Sequence, residues 1–141
     1  MMVYAETSAV LRWLFNEDGS GQILEDLRRA KKVVCSRVTL IETRRVMRRA
    51  SVESRITETQ AADLFAVFGQ AAARWAILEL SVEVARRAES VFPLEPVRTL
   101  DAIHLASAVL LRESLPDLCI LSTDERVRRN ALQLGFDVLP H

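Results

Sequence analysis

Leu118-Cys119-Ile120-Leu121-Ser122-Thr123-Asp124-Glu125 is the stretch that decides the fold. Four consecutive apolar residues, following Pro116 and preceding Ser122, read as a strand buried on both faces. Strands of that kind belong to parallel sheets with helices on either side. Ser122-Thr123-Asp124-Glu125 then has the capping-box pattern, so a helix should begin there and stop at Gly135, before a short last strand at Phe136-Asp137-Val138-Leu139. Strand, turn and helix follow one another with almost no spacer.

The same unit recurs upstream. Val3-Tyr4-Ala5, Val33-Val34-Cys35 and Ile77-Leu78-Glu79-Leu80 read as further strands. Ser8 can cap a helix from Ala9 with Val10, Leu11, Leu14 and Phe15 as its apolar face, and Ile23, Leu24 and Leu27 mark another ending near Lys31. Thr39-Leu40-Ile41-Glu42 is a capping box, predicting a helix through Met47 with Arg44, Arg45, Arg48 and Arg49 outside. Thr57-Glu58-Thr59-Gln60 is another, opening a long helix, and Ser81 caps one through Val91. Leu100 to Leu111 is apolar almost all round, which predicts a helix buried in the domain centre. Strands alternating with helices predict an α/β fold with a largely parallel sheet, and 141 residues fit one domain, 1–141.

Composition narrows the class. Half the residues are hydrophobic, no apolar stretch approaches a membrane span of roughly 20 residues, and Gly and Pro number only four each. The N-terminus, Met1-Met2-Val3-Tyr4-Ala5-Glu6, lacks the basic-then-apolar order of a signal peptide, so the expected location is cytoplasmic. Cys35 and Cys119 both lie in strand-like runs and read as buried free thiols. Net charge is zero, but residues 28 to 55 hold ten basic and two acidic residues, a local balance of +8. That segment is either a solvated helix face or a phosphate-binding surface, with Arg44, Arg45 and Arg48 as candidate RNA contacts.

Four carboxylates carry the functional reading: Glu6, Glu42, Asp101 and Asp124. Each stands where a helix is expected to begin, and three of them follow predicted strands. Sites in open α/β sheets form outside the carboxyl ends of the strands. Converging there, four acids would repel one another and require a cation. Local readings exist beside the functional one. Glu42 is the N3 position of its capping box, and Asp101 and Asp124 lie in first helical turns, where the helix dipole favours an acid. Glu6 has no such local reason. His104, one turn after Asp101, either faces the same cavity or fills the core.

In order, Val3-Tyr4-Ala5-Glu6-Thr7-Ser8-Ala9, Thr39-Leu40-Ile41-Glu42, Leu100-Asp101-Ala102-Ile103-His104-Leu105-Ala106 and Leu121-Ser122-Thr123-Asp124 resemble the motifs of PIN-domain ribonucleases, and among these the VapC-like toxins of bacterial toxin–antitoxin pairs. The resemblance spans essentially the whole chain. It implies a three-layer α/β/α sandwich with a mostly parallel sheet and an endoribonuclease dependent on Mg²⁺ or Mn²⁺. It implies that Glu6 and Asp101 are the main metal-binding carboxylates, with Glu42 and Asp124 completing the quartet. Ser8 and Ser122 correspond to hydroxyls that orient the acids or a bound water. It further implies a homodimer and a small antitoxin inserted in the active-site groove. One departure stands out: the family's first acid is usually Asp, and here it is Glu6. Two alternatives remain at this level, an inactive RNA- or partner-binding module and a maintenance nuclease. A phosphoacceptor receiver domain is disfavoured, because the only lysines, Lys31 and Lys32, precede the second strand.

Overall fold

Val3, Tyr4 and Ala5 send their side chains alternately to two separate cores, and the whole molecule is organised by that alternation. They belong to β1 (Met2–Ala5), the middle strand of a five-stranded sheet in the computed structural model, which describes residues 1–141. The other strands are β2 (Lys32–Ser36), β3 (Ala76–Leu78), β4 (Leu118–Leu121) and β5 (Asp137–Leu139). They lie in the order β3-β2-β1-β4-β5, and every pairing is parallel. The expectation of a mostly parallel sheet is met in full.

Seven helices connect the strands: α1 (Thr7–Leu14), α2 (Ser20–Arg29), α3 (Arg37–Val52), α4 (Glu58–Ala72), α5 (Val82–Glu89), α6 (Thr99–Ser114) and α7 (Glu125–Gln133). On one face, Tyr4, Val34, Ile120 and Val138 pack with Val84 of α5, Leu105 and Ala106 of α6 and Val127 of α7. On the other, Ala5, Val33 and Cys35 meet Val10 of α1, Leu40 and Met47 of α3 and Phe68 of α4. Val3, Cys119, Leu121 and Leu139 pack on that second face with Ala9 and Ile23. Period-two alternation in strands buried on both sides produces this three-layer arrangement. The burial of α6 agrees with its apolar sequence: Ala102 and the run from His104 to Ala108 are buried.

Three helix starts differ from the sequence reading. The Thr57 box forms as expected, with Thr57 and Gln60 bonding reciprocally. The Thr39 box does not. Helix α3 begins two residues earlier, capped by Ser36, and Thr39 is buried with its hydroxyl donating to the Ala5 carbonyl. Ser36 competes better for the cap because β2 ends on it and the chain turns at once. Ser8 likewise lies inside α1 and does not cap it; Glu6 occupies the N-cap position, although its side chain makes no capping bond. Asp124, not Ser122, caps α7, accepting from the Arg126 and Val127 amides. Helix α5 stops at Glu89, short of Val91.

Both cysteines are free. Burial pushes the Cys35 thiol up to about 12, and only the thiolate is nucleophilic. Folded protein at pH 8 should therefore leave Cys35 unmodified by iodoacetamide, while denatured protein is alkylated there; mass spectrometry of both samples checks this.

Candidate active site

β1 and β4 run side by side, and their carboxyl ends set the position of Glu6. Its amide donates to the Leu121 carbonyl at 3.0 Å, extending the sheet ladder by one residue before α1 turns away. The Glu6 side chain, only 4% exposed, bends back toward the end of β4. Its Oε2 accepts hydrogen bonds from the hydroxyls of Ser8 and Ser122, the latter at 2.7 Å. The Ser8 oxygen in turn accepts from the Thr123 and Asp124 amides at 2.9 and 3.1 Å. Ser8 thus ties α1 to the loop that carries Asp124, which is what places two residues distant in sequence beside one another. The extra methylene of Glu6 has a structural consequence: its carboxylate reaches both serines.

Glu42 enters from the second turn of α3. With the capping box absent, its supposed local role disappears, and its partners are elsewhere. Oε1 accepts from the Thr7 hydroxyl and from His104 Nε2, both at 2.6 Å. Behind it, the Tyr4 hydroxyl stands 2.7 Å from His104 Nδ1. Burial, together with the neighbouring Cys35 and Glu6, raises the Tyr4 pKa well above that of an ordinary phenol, so Tyr4 is a proton donor. Donation to Nδ1 leaves the imidazole proton on Nε2, aimed at Glu42. Burial acts to raise the Glu42 pKa, but hydrogen bonds from His104 and Thr7 more than offset it, and the carboxyl is held below its ordinary value. His104 is therefore a core residue and a site residue at once. The sequence signal was its spacing of one helical turn from Asp101.

Asp101 projects from the first turn of α6, and Asp124 from the cap of α7. Arg98 joins them: Nε donates to Asp101 Oδ2 at 2.8 Å and Nη2 to Asp124 Oδ2 at 3.0 Å. The loop before α6 is fixed locally. The Glu95 carboxylate accepts from the Phe92 and Val97 amides, and Asn130 exchanges two hydrogen bonds with the Leu94 backbone. That anchoring delivers Arg98 to the acids, and the sequence reading did not single it out.

The four acids do converge. Glu6, Glu42, Asp101 and Asp124 line one cavity of about 390 Å³ at the carboxyl edge of the sheet, with Thr7, Ser8 and Arg98. The donor set suits a hard divalent cation, being carboxylate oxygen throughout. Hydrogen bonds engage Oε2 of Glu6, Oε1 of Glu42 and Oδ2 of Asp101, leaving the second oxygen of each carboxylate free for a ligand. As the side chains lie, however, no three of the acids are close enough together to share an ion.

The arginines of α3 lie apart from this cavity. Arg44 stacks over the Phe68 ring at 5.3 Å and Arg48 over Phe65 at 4.8 Å, so both cover α4, and Arg45 is exposed. A second cavity, about 450 Å³, is lined by Arg98, Arg126 and Arg129 together with Asp101, and it adjoins the acidic one. No helix is long and apolar enough to cross a membrane.

Comparison with known proteins agrees with the architecture. The chain is 27% identical over 139 residues to ribonucleases VapC45 and VapC49 of Mycobacterium tuberculosis, covering 99% of this chain and 95% of each relative. Its fold matches a toxin–antitoxin complex from Klebsiella pneumoniae with a TM-score of 0.66 at 20% identity, covering 99% of this chain and 98% of that one. It matches VapBC2 from Rickettsia felis, solved bound to a DNA fragment from its promoter, with a TM-score of 0.63 at 13% identity, covering 98% and 97% of the two chains. Residues 3–132 match the PIN domain, and with five parallel strands gathering four acids at one edge, the chain belongs to the PIN domain family.

Proposed function

We propose that this protein is a divalent-metal-dependent endoribonuclease, the toxin of a toxin–antitoxin pair. The observation that carries the reading is the convergence of Glu6, Glu42, Asp101 and Asp124, from four separate segments, in one cavity. The similarity to ribonucleases VapC45 and VapC49, and to a toxin–antitoxin complex of like fold, supports it. A small antitoxin, a homodimer and a cytoplasmic site of action belong to the same reading.

The chain's own groups divide the work. Glu6, Glu42 and Asp101 would hold Mg²⁺ or Mn²⁺ through their unengaged oxygens, and Asp124, whose Oδ1 caps α7 and whose Oδ2 accepts from Arg98, would complete the set through Oδ2. When bound, the ion polarises the scissile phosphate and lowers the pKa of a water at the site. Ser8 and Ser122 fix the Glu6 carboxylate. Thr7 and His104 fix Glu42 and keep it ionised. RNA approaches over the exposed face of the acids, where Arg126 and Arg129 meet its phosphates, and the exposed Arg45 offers a separate basic contact on α3. Incubating purified protein with a pool of RNAs, with Mn²⁺ and then with EDTA, tests the reading; cleavage indifferent to the chelator rejects it.

Glu6 gives a sharper test. Shortening it to Asp retracts the carboxylate by about 1.5 Å, one C–C bond, out of reach of both serines as they stand. Misplacement by about 1 Å can cost roughly 10²-fold in rate. Glu6→Asp should therefore lower cleavage by about 10- to 100-fold, even though it restores the family's usual residue. A rate equal to or above wild type, measured on the same RNA, would show that the serine contacts do not set the working position.

A further inference from the structure

The acidic cavity already contains a cation. Arg98 bonds two of the four acids through two different nitrogens, at 2.8 and 3.0 Å. Its side chain remains 58% exposed, whereas Asp101 is 13% and Asp124 27% exposed. The acids sit on the first turn of α6 and at the cap of α7, and the arginine is the most solvent-exposed member of the group. Bridges to so exposed a partner are weak and readily exchanged.

Size explains why an arginine and a metal exclude one another here. A guanidinium presents nitrogens on a planar fork and receives carboxylates at hydrogen-bond distance. Mg²⁺ requires its oxygens at about 2.1 Å around a single point. Asp101 and Asp124 face different corners of the fork, and no three acids surround one point. The side-chain arrangement is therefore that of a guanidinium complex. Drawing the acids around an ion requires Arg98 to leave.

Arg98 has somewhere to go. It forms part of the wall shared by two cavities, and the second is lined by Arg126 and Arg129 over an apolar floor that includes Leu94, Val97 and Leu105. Arg98 there is paired with Asp101 and Asp124 and Arg129 reaches Glu125 at 3.9 Å, while Arg126 forms no ion pair, so an anion entering this cavity meets three guanidinium groups, one of them without a carboxylate partner. The RNA backbone supplies phosphate at that position, next to the acids that would act on it.

We propose that Arg98 is the resident cation of the metal-free site, exchanging between the Asp101–Asp124 pair and a phosphate-binding cavity formed with Arg126 and Arg129, so that metal entry and RNA binding are coupled through one side chain. This rests on the reading of the acids as a metal site. The coupling is reciprocal by linkage: whatever draws Arg98 toward phosphate favours the ion, and the ion favours phosphate binding.

Calorimetric titration of Mn²⁺ into wild type, Arg98→Gln, Arg98→Lys and Asp101→Asn tests it, with melting temperatures recorded with and without the ion. Arg98→Gln should bind Mn²⁺ about tenfold more tightly, because nothing is displaced. It should melt lower than wild type without metal, because Asp101 and Asp124 lose their counter-charge, and gain more on adding Mn²⁺. Its KM for RNA should rise several-fold as its metal affinity improves, a pair of opposite changes that a purely structural arginine does not produce. Arg98→Lys keeps the charge without the fork and should fall between. Equal or weaker Mn²⁺ binding by folded Arg98→Gln overturns the inference while leaving the nuclease reading intact. An unchanged KM overturns the phosphate half. Absence of Mn²⁺ binding in both wild type and Arg98→Gln rejects the metal site itself, and the inference with it.

Discussion

Asp101→Asn should reduce RNA cleavage by roughly 10³-fold, a loss of about 4 kcal/mol of transition-state stabilisation. Asn keeps the shape of Asp101 and removes its charge. It therefore subtracts a carboxylate of the proposed metal site without disturbing α6. The bridge to Arg98 is lost as well, but that guanidinium is largely in water, and pairs of this kind contribute about 1 kcal/mol or less. The expected combination is a nearly inactive enzyme with nearly wild-type stability, measured by single-turnover cleavage and urea unfolding. Cleavage retained within tenfold of wild type would remove Asp101 from the reaction.

His104→Leu should have the largest effect on folding. The imidazole is 2% exposed and serves Tyr4 on one side and Glu42 and Thr7 on the other. Leucine fills the space but strands a buried phenol and a half-buried carboxylate. Unsatisfied buried groups cost about 1–3 kcal/mol each, so a loss of roughly 3 kcal/mol is expected. The sign of its pH dependence follows from Glu42. A carboxyl whose folded pKa is depressed contributes stability above its unfolded value, about 4.3, and loses it as pH falls through the folded value. The difference between wild type and His104→Leu should therefore be full near neutrality and narrow below about pH 4. A gap that widens in acid would contradict the assignment of His104 as the group that keeps Glu42 ionised. The variant should also cleave RNA poorly, since Glu42 loses its orientation.

The residues whose fate is set locally were the legible ones. Apolar runs such as Leu118–Leu121 announced a doubly covered sheet, and the Thr57 box forms as written. The four acids were legible as a set, because strand ends of a parallel sheet share one edge. Their individual contexts were not. Thr39 and Glu42 match a capping box, yet Ser36 takes the cap because the strand ends there, a tertiary fact that overrides a local pattern. Arg48 is exposed as its pattern predicts and Arg44 is half-buried, but that they lie over Phe65 and Phe68 depends on α4 and has no local signal. Arg98 carried no motif at all. Its role depends on a loop held by Glu95 and Asn130, and on Asp124, 26 residues later.

The sheet order has a consequence for the chain while it is being made. β1 emerges first, yet its neighbours in the finished sheet are β2 and β4, and Glu6 takes its backbone partner from Leu121. Pairings so far apart in sequence form late, since the intervening loop must close before they are rewarded. Ser122 and Asp124 both follow Asp101 in sequence, beyond β4. A nascent polypeptide on the ribosome therefore carries Glu6, Glu42 and Asp101 without the strand that gathers them. Until β4 and the start of α7 have followed Asp101 off the ribosome, the acids have no common edge on which to gather, and the site cannot form.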